Sequence, residues 1–420
     1  MSDTADVVVV GGGIMGLTHA VHLLEAGVEK VHLIERDGLC EGTTGAGGGF
    51  LAPWTVISHL HGPDSPAGPL ERYGMEFYAK LNAAGHDIDY RQNGVLWVTA
   101  SEGTWALAQS LAWDVADAAA VAVEPGRMAE FSAGVVSGDG VYGGYYVPSG
   151  AQISTTKVGT ALAARIRELG GVVETRRPAE AIRVSGGRVT GVDTAFGRID
   201  SDHVVLAAGA WSNQLLEPLG AFLPAVPQIT SRIITEDLGI PETLPMLFML
   251  GLAPDEPGGG TPLWVRWHDG GLLWGGMYGT YPRDVLADAP IPDRLDELPT
   301  DGILEDQRMA RGAAGFMPVL SRPASIRVKH GAPCYTPDNL ALVGPVPGIE
   351  GLHALGGDNE LGVTQGPGLG KVLADHIVHG TSELAELGPW CLDRFGDRYT
   401  NAAEAYAGLT ESLTKLLESD

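Results

Sequence analysis

Cysteine is scarce: Cys40, Cys334 and Cys391 are the three thiols in 420 residues. Three cysteines make no disulfide framework, and none stand in zinc-binding spacing, so a cytoplasmic protein with reduced thiols is expected. Positive charge is scarce too, with 27 Lys and Arg against 52 Asp and Glu and a net charge of −25. That balance argues against nucleic acid and anionic membrane surfaces as partners and favours a soluble chain. Long apolar runs are missing: the best candidate, Leu244 to Leu252, is too short for a membrane span and contains Pro245. The opening MSDTAD has no basic region and no separate apolar segment, so no signal peptide is expected. Repeats and low-complexity tracts are absent, and the 60 glycines follow no G-x-y period, which reads as many tight turns. The length suits two ordinary domains, and a 44% apolar content suffices for a real core.

What is present is concentrated first between Asp6 and Asp37. Four valines, 7–10, suit a buried parallel strand. Gly11, Gly13 and Gly16 follow as G-x-G-x-x-G, and Ile14, Leu17, Val21 and Leu24 then mark one face of a helix that stops at Gly27. Val31, Leu33 and Ile34 read as a second strand ending at Glu35, 24 residues after Gly11. Gly11 permits the tight turn, Gly13 lets backbone approach a pyrophosphate, Gly16 lets helix pack on strand, and the helix N-terminus faces the phosphates. Glu35 accepts from ribose hydroxyls and disfavours a 2′-phosphate. Strand, glycines, helix and acid together meet the dinucleotide fingerprint, for FAD or NAD rather than NADP.

Residues 41–54, EGTTGAGGGFLAPW, read as a second cofactor loop whose small residues leave backbone N–H groups open to an anion. Helices are expected over 68–85, 101–120, from about 158 to 169, and over 366–379; a strand is expected over 89–99. Residues 172–210 read as strands and hairpins, with the clearest turn at Ser185-Gly186-Gly187. TPLWVRWHDGGLLWGGMYG reads as a hairpin turning at Asp269-Gly270-Gly271, residues 285–301 as an acidic surface excursion, and the tail from Ser382 as polar and partly helical.

These pieces resemble the FAD-dependent amine and amino-acid oxidases and dehydrogenases over roughly residues 6–400. VVLAAGAWSNQLLEPLG (204–220) resembles the family's second flavin segment. RVKHGAPCYTPDNLALVGPVPGIEGLHALGGDNELGVTQGPGLGKVLADHIVHG is the most specific match, similar to the dimethylglycine and sarcosine dehydrogenase branch. The resemblance stops short of the folate-binding region of longer relatives, so no folate domain is expected. It implies an α/β, two-domain fold. A Rossmann-type FAD-binding domain of the glutathione-reductase-like kind is expected in three pieces, 1–55, 150–225 and 325–385. A substrate domain with a large mixed β-sheet is expected over 56–149 and 226–324, with a tail at 386–420. FAD contacts are implied at Gly11, Gly13, Ile14, Met15, Gly16, Glu35 and Arg36, and at Thr43, Thr44, Ala46, Gly47 and Gly48. Further contacts are implied at Ala181, Ala208, Gly209 and Trp211, and at Gly357, Asp358, Asn359, Leu361, Gly362, Val363 and Thr364.

The family chemistry oxidises the C–N bond of a secondary amine or amino acid to an imine by hydride transfer to flavin, with oxygen or a separate electron acceptor completing the cycle. The histidine that links flavin covalently in the dehydrogenase branch corresponds to about Ala46, so non-covalent FAD is expected, with a Cys334 thioether as the alternative. The lysine that some relatives place over the flavin corresponds to about Leu273. A substrate carboxylate calls for an arginine fork; Arg266 is the first choice and Arg232 the second. Tyr278 on the following strand, His59 and His61 after the flavin loop, and Glu360, a carboxylate for a substrate cation, complete the candidates. Among Trp264, Trp267, Trp274, Tyr278 and Tyr281, one or two are expected to wall the pocket and the rest to be core. No metal is called for, and homo- or hetero-oligomers stay open. Two alternatives stand beside this reading: an aromatic monooxygenase of similar fold, whose Gly-Asp-Ala-x-His reads GGDNELG here, and a flavin-binding subunit of a multi-subunit dehydrogenase.

Overall fold

The fold is described by a computed structural model covering residues 3–57, 65–256, 259–276, 291–298, 303–322 and 324–418, the side chains of 56–57 and 413–418 excepted. Among the described residues, two large sheets carry it.

The first has six strands in the order Leu342–Pro345, Leu352–Gly356, Val204–Leu206, Val7–Val10, Val31–Ile34 and Val172–Glu174, all parallel except the first. Val7–Val10 is buried on both faces, as its unbroken valines require. The helix Ile14–Glu25 packs on one side of this sheet and against the helix Gly362–His379. Their approach is tight: a Cβ on Gly370 would stand 3.0 Å from the His19 backbone nitrogen. On the other side lies a four-stranded sheet containing the hairpin Ala179–Ser185/Arg188–Thr194, which turns at Gly186 and Gly187, both with positive φ.

The second sheet has eight strands, in the order Ile326–Gly331, Thr230–Thr235, Gly271–Gly276, Leu263–His268, Met246–Leu250, Val95–Thr99, Gly143–Val147 and Val121–Val123. It is mixed, because Met246–Leu250 runs parallel to Val95–Thr99 while the other pairs are antiparallel. Its two faces follow the period of two. Leu96, Val98, Leu247, Met249, Leu263 and Val265 pack on one face under the helix Ile303–Ala313; Val95, Trp97, Met246, Phe248, Trp264 and Leu273 line the other, toward Phe50 and Trp54 of the cofactor loop.

Four local expectations change. The strand expected over 89–99 is confined to Val95–Thr99, because the chain turns through positive φ at Asp89 and Gly94. The helix expected over 101–120 runs from Glu102 to Ser110, N-capped by Ser101. It breaks at Leu111, and Trp113 turns in to stack on Tyr145 at 4.5 Å. Ile326–Gly331, expected in the cofactor part, is an edge strand of the eight-stranded sheet, in register with Thr230–Thr235. The helix expected over 366–379 starts a turn earlier, at Gly362, with Pro367 inside it. Pro367 cannot donate to the Val363 carbonyl; the Tyr78 hydroxyl donates to it instead, at 2.9 Å.

The tail packs on the cofactor half. Trp390 and Leu392 are buried, and the helix Ala402–Glu418 covers Val226 and Tyr335 through Ala405 and Leu409. Among the described residues no helix is long and apolar enough to cross a membrane.

Candidate active site

The carboxyl ends of the central parallel strands open into one cavity of about 520 Å³, where open α/β sheets bind their ligands. Gly11, at φ +117, can carry no side chain because a Cβ would overlap the Ala207 carbonyl, and a Cβ on Gly16 would overlap the Gly11 carbonyl. Gly13 is different. Its nearest neighbour in that direction is Thr44 Oγ1 at 3.5 Å, so the space its missing side chain leaves belongs to the cavity. This is a cradle that backbone keeps open for a phosphate at a helix N-terminus.

Glu35 closes the ribose end. Its Oε2 accepts from Gly12 N–H at 2.6 Å and its Oε1 from Asp37 N–H at 2.8 Å, and each oxygen keeps a lone pair for a hydroxyl. Burial pushes its carboxyl above the usual range, against those two bonds. Arg36 lies over the Trp211 ring at 4.7 Å and donates to the Asp293 carbonyl at 2.7 Å. Trp211 Nε1 donates to the Pro292 carbonyl, and Asp293, in the stretch expected as a surface excursion, joins the cavity lining.

The second loop is tied into the same wall. Thr44 Oγ1 accepts from Ile14 N–H at 3.1 Å, and Thr43 Oγ1 from Ala332 N–H at 3.0 Å. At the opposite wall, Asn359 and Glu360 both take positive φ, 48° and 68°. Such backbone is held only by its surroundings: Asn359 Oδ1 accepts from Thr336 N–H and its Nδ2 donates to the Gly357 carbonyl. Asp358 Oδ2 accepts from Gly362 N–H at 3.2 Å, and burial lifts its carboxyl to about 6.

The cavity is lined by Gly11, Gly13, Ile14, Met15, Glu35 and Arg36, by Thr43, Thr44, Ala46, Gly47 and Gly48, by Ala208, Gly209 and Trp211, and by Gly357, Asp358, Asn359, Glu360, Leu361, Val363 and Thr364. Three expected contacts are not on its wall. Gly16 serves strand–helix packing, Gly362 sits behind Asp358, and Ala181 pairs within its hairpin while Pro178 and Ala179 face the cavity. Cys334 lines it as well, with its thiol pushed far up by burial and its Sγ 3.8 Å from the Ala332 carbonyl.

Over the other end stands the inner face of the eight-stranded sheet. Register places Trp97, Phe248, Trp264, Gly275, Arg232 and Lys329 in one row across six adjacent strands. Gly275 leaves room in that row: a Cβ there would stand 3.0 Å from Arg232 Cδ. Across this gap the Arg232 guanidinium lies 4.8 Å from the Trp264 ring. Arg232 Nη2 meets Glu360 Oε1 at 3.1 Å and Nη1 donates to the Ser231 and Gly276 carbonyls. Both members of the pair line the cavity, 6% and 14% exposed by side chain.

Arg266, the sequence's first choice, is not on the cavity wall. It shares the inner face of Trp264 but stands two residues farther along, about 6.8 Å for an antiparallel strand. There its Nη1 donates to the Trp267 carbonyl at 3.0 Å, and burial lowers its guanidinium to about 10. Trp267 and Trp274 face the other way, into the core beneath Ile303–Ala313, so of the described tryptophans in that run Trp264 alone lines the cavity. Leu273 lies in the inner aromatic cluster without reaching the wall. Tyr278, Tyr281, His59 and His61 lie outside the described residues. Sequence reasoning missed Trp97 and Phe248, and took in Phe50 and Trp54 only as part of the loop 41–54; the strand alternation of Trp97, Phe248 and Trp264 was the signal available.

The family model "FAD dependent oxidoreductase" matches residues 6–376. The chain belongs to that family, and FAD is its cofactor. It is 28% identical over 388 residues to 4-methylaminobutanoate oxidase (formaldehyde-forming) of Paenarthrobacter nicotinovorans, covering 89% of this chain and 44% of that protein. It is 27% identical over 402 residues to glycine oxidase of Pseudomonas aeruginosa, covering 91% and 97%. The chain therefore spans about half the length of the first of these relatives and nearly all of the second. Glycine oxidase from Geobacillus kaustophilus has the same fold, with a TM-score of 0.75, 20% identity and coverage of 94% and 99%.

Proposed function

We propose that this chain oxidises the C–N bond of a secondary amine or amino acid. The observation that carries the reading is the continuity of one cavity from the dinucleotide cradle at Gly13 to the Arg232–Glu360 pair beneath an aromatic wall. The chemistry FAD supplies when bound is two-electron acceptance: a hydride leaves the carbon beside the amine nitrogen, the nitrogen gives up a proton, and the imine goes on to hydrolysis.

The chain's own residues supply position and environment. Arg232 offers a fork for a carboxylate, held by two backbone carbonyls and the Trp264 face. Glu360 offers the opposite charge beside it, so the pair matches the two ends of an amino acid zwitterion. Phe50, Trp54, Trp97, Phe248 and Trp264 exclude water from the reacting carbon. The two relatives are named for glycine and 4-methylaminobutanoate, which each carry an amine and a carboxylate, adjacent in the first and separated by a longer chain in the second. Binding is non-covalent on this reading, because a buried, protonated Cys334 thiol is a poor nucleophile.

The test is anaerobic mixing of the yellow protein with N-methylated amino acids, ordinary amino acids and simple amines, followed by admission of air. Bleaching of the flavin band by amines is expected, and the rate of colour recovery separates oxygen from another acceptor. Bleaching by NADPH with no response to any amine would overturn the proposal in favour of a monooxygenase.

A further inference from the structure

The sheet row that contains Arg232 begins with three aromatic side chains. Trp97, Phe248 and Trp264 stand opposite one another on neighbouring strands, and Trp97 stacks on Phe248 at 4.9 Å and 23°. At about 4.8 Å between strands, the wall extends about 10 Å from Trp264 to Trp97. All three line the cavity, as do Leu107, Leu111 and Pro262 at its outer end. Those last three are only partly buried, although they are apolar.

A head group held at Arg232 and Glu360 therefore leaves an arm with no charged lining residue among the described ones. A methyl group covers a small part of such a wall. An apolar lining left partly open to water favours an apolar occupant.

We infer that the substrate carries an apolar substituent of aromatic-ring size, seated against Trp97, Phe248 and Trp264 and reaching toward Leu111. This rests on the proposed amine oxidation and goes beyond it by naming the part of the substrate that does not react. The wall binds that part equally before and during reaction, so it acts on KM and kcat/KM more than on kcat.

The experiment compares N-methylglycine with N-methylphenylalanine and N-benzylglycine on the FAD-loaded protein, by anaerobic flavin reduction. It also compares propanoate with 3-phenylpropanoate as unreactive ligands that perturb the oxidised flavin spectrum. The aryl member of each set is expected to be favoured roughly a hundredfold, the effect of burying a phenyl ring among aromatic side chains. Phe248→Ala is expected to remove most of that preference. Leu111→Ser, at the partly exposed end of the wall, is expected to reduce it several-fold. Reduction by N-methylglycine with equal or slower reduction by both aryl amines, or equal binding of the two acids, would overturn the inference and leave the amine reading standing. Failure of every amine to reduce the flavin would overturn both.

Discussion

Tyr78 and Pro367 form a compensating pair that can be measured. The helix Gly362–His379 carries Val363 and Thr364 into the cavity in its first turn, and Pro367 leaves the Val363 carbonyl without its helical donor. Tyr78 is fully buried, and burial holds its phenol far above the ordinary range, so its hydroxyl is a donor at any working pH. Tyr78→Phe keeps the ring and removes the one bond. An unsatisfied buried carbonyl costs about 1–3 kcal/mol, so about 2 kcal/mol of stability should be lost, with weaker flavin retention. Pro367→Ala restores a backbone N–H to the same carbonyl. In that background Tyr78→Phe should cost under about 0.5 kcal/mol, a coupling of about 1.5 kcal/mol between the two positions. Denaturant titration followed by release of flavin fluorescence measures all four proteins. Equal cost of Tyr78→Phe in both backgrounds would refute the compensation, however large that cost is.

Gly13 and Gly16 should separate cofactor binding from folding. Gly16→Ala overlaps the Gly11 carbonyl and should destabilise even the flavin-free protein, whereas Gly13→Ala has space within the fold and should lose FAD affinity while flavin-free stability changes little, as equilibrium dialysis and thermal melts will show. Glu71 is fully buried and accepts from Thr55 N–H, Thr55 Oγ1 and Gln365 Nε2, yet burial raises its carboxyl to about 7. A raised acid favours the folded state when protonated, so its contribution is full below about 4.5 and is lost as pH rises through about 7, up to about 3 kcal/mol. Glu71→Gln should therefore gain stability relative to the parent as pH climbs from 5 to 8; parallel melting curves across that range would contradict this. Glu360→Gln should leave Arg232 buried with its charge unbalanced, lower kcat/KM for amines by about tenfold or more and weaken the protein, with Arg232→Lys failing to substitute for the fork. Acid precipitation should release all the flavin to the supernatant from both the parent and Cys334→Ser; yellow colour in the parent's pellet alone would establish a thioether.

The cofactor half was legible because its signals are local. Gly11, Gly13, Gly16 and Glu35 act within one strand–helix–strand unit, so spacing alone placed them. Ala181 shows the limit of that kind of inference, since Ala179 lines the cavity and Ala181, beyond an irregularity in the same strand, does not. The place of Asp293 on the cavity wall was illegible for a related reason. The acidic, proline-rich composition of its stretch suits a surface loop, but side-chain bonds from Trp211 and Arg36 to the backbone there and the packing of Leu295 with Ile229 and Ala332 draw it in.

The substrate end was less legible because its chemistry is assembled across strands far apart in the chain. Alternation puts Trp264 and Arg266 on the same face, so period two favours Arg266 as much as any neighbour. What decides against it is register, which the sequence of one strand does not contain. Trp264 meets Phe248 on one side and Gly275 on the other, and Gly275 admits Arg232 from the strand beyond. Arg266 belongs to the next row, with Leu273 and Leu247's neighbour Met246, past the edge of the cavity. The glycine is thus as informative as the arginine. A side chain at 275 would push Arg232 off the Trp264 face and away from Glu360, and the strained Asn359-Glu360 backbone would then hold a carboxylate with its cation displaced. The charge pair, the gap at Gly275 and the positive φ at Glu360 support one another, which is why the second-choice arginine, and not the first, meets the cofactor cavity.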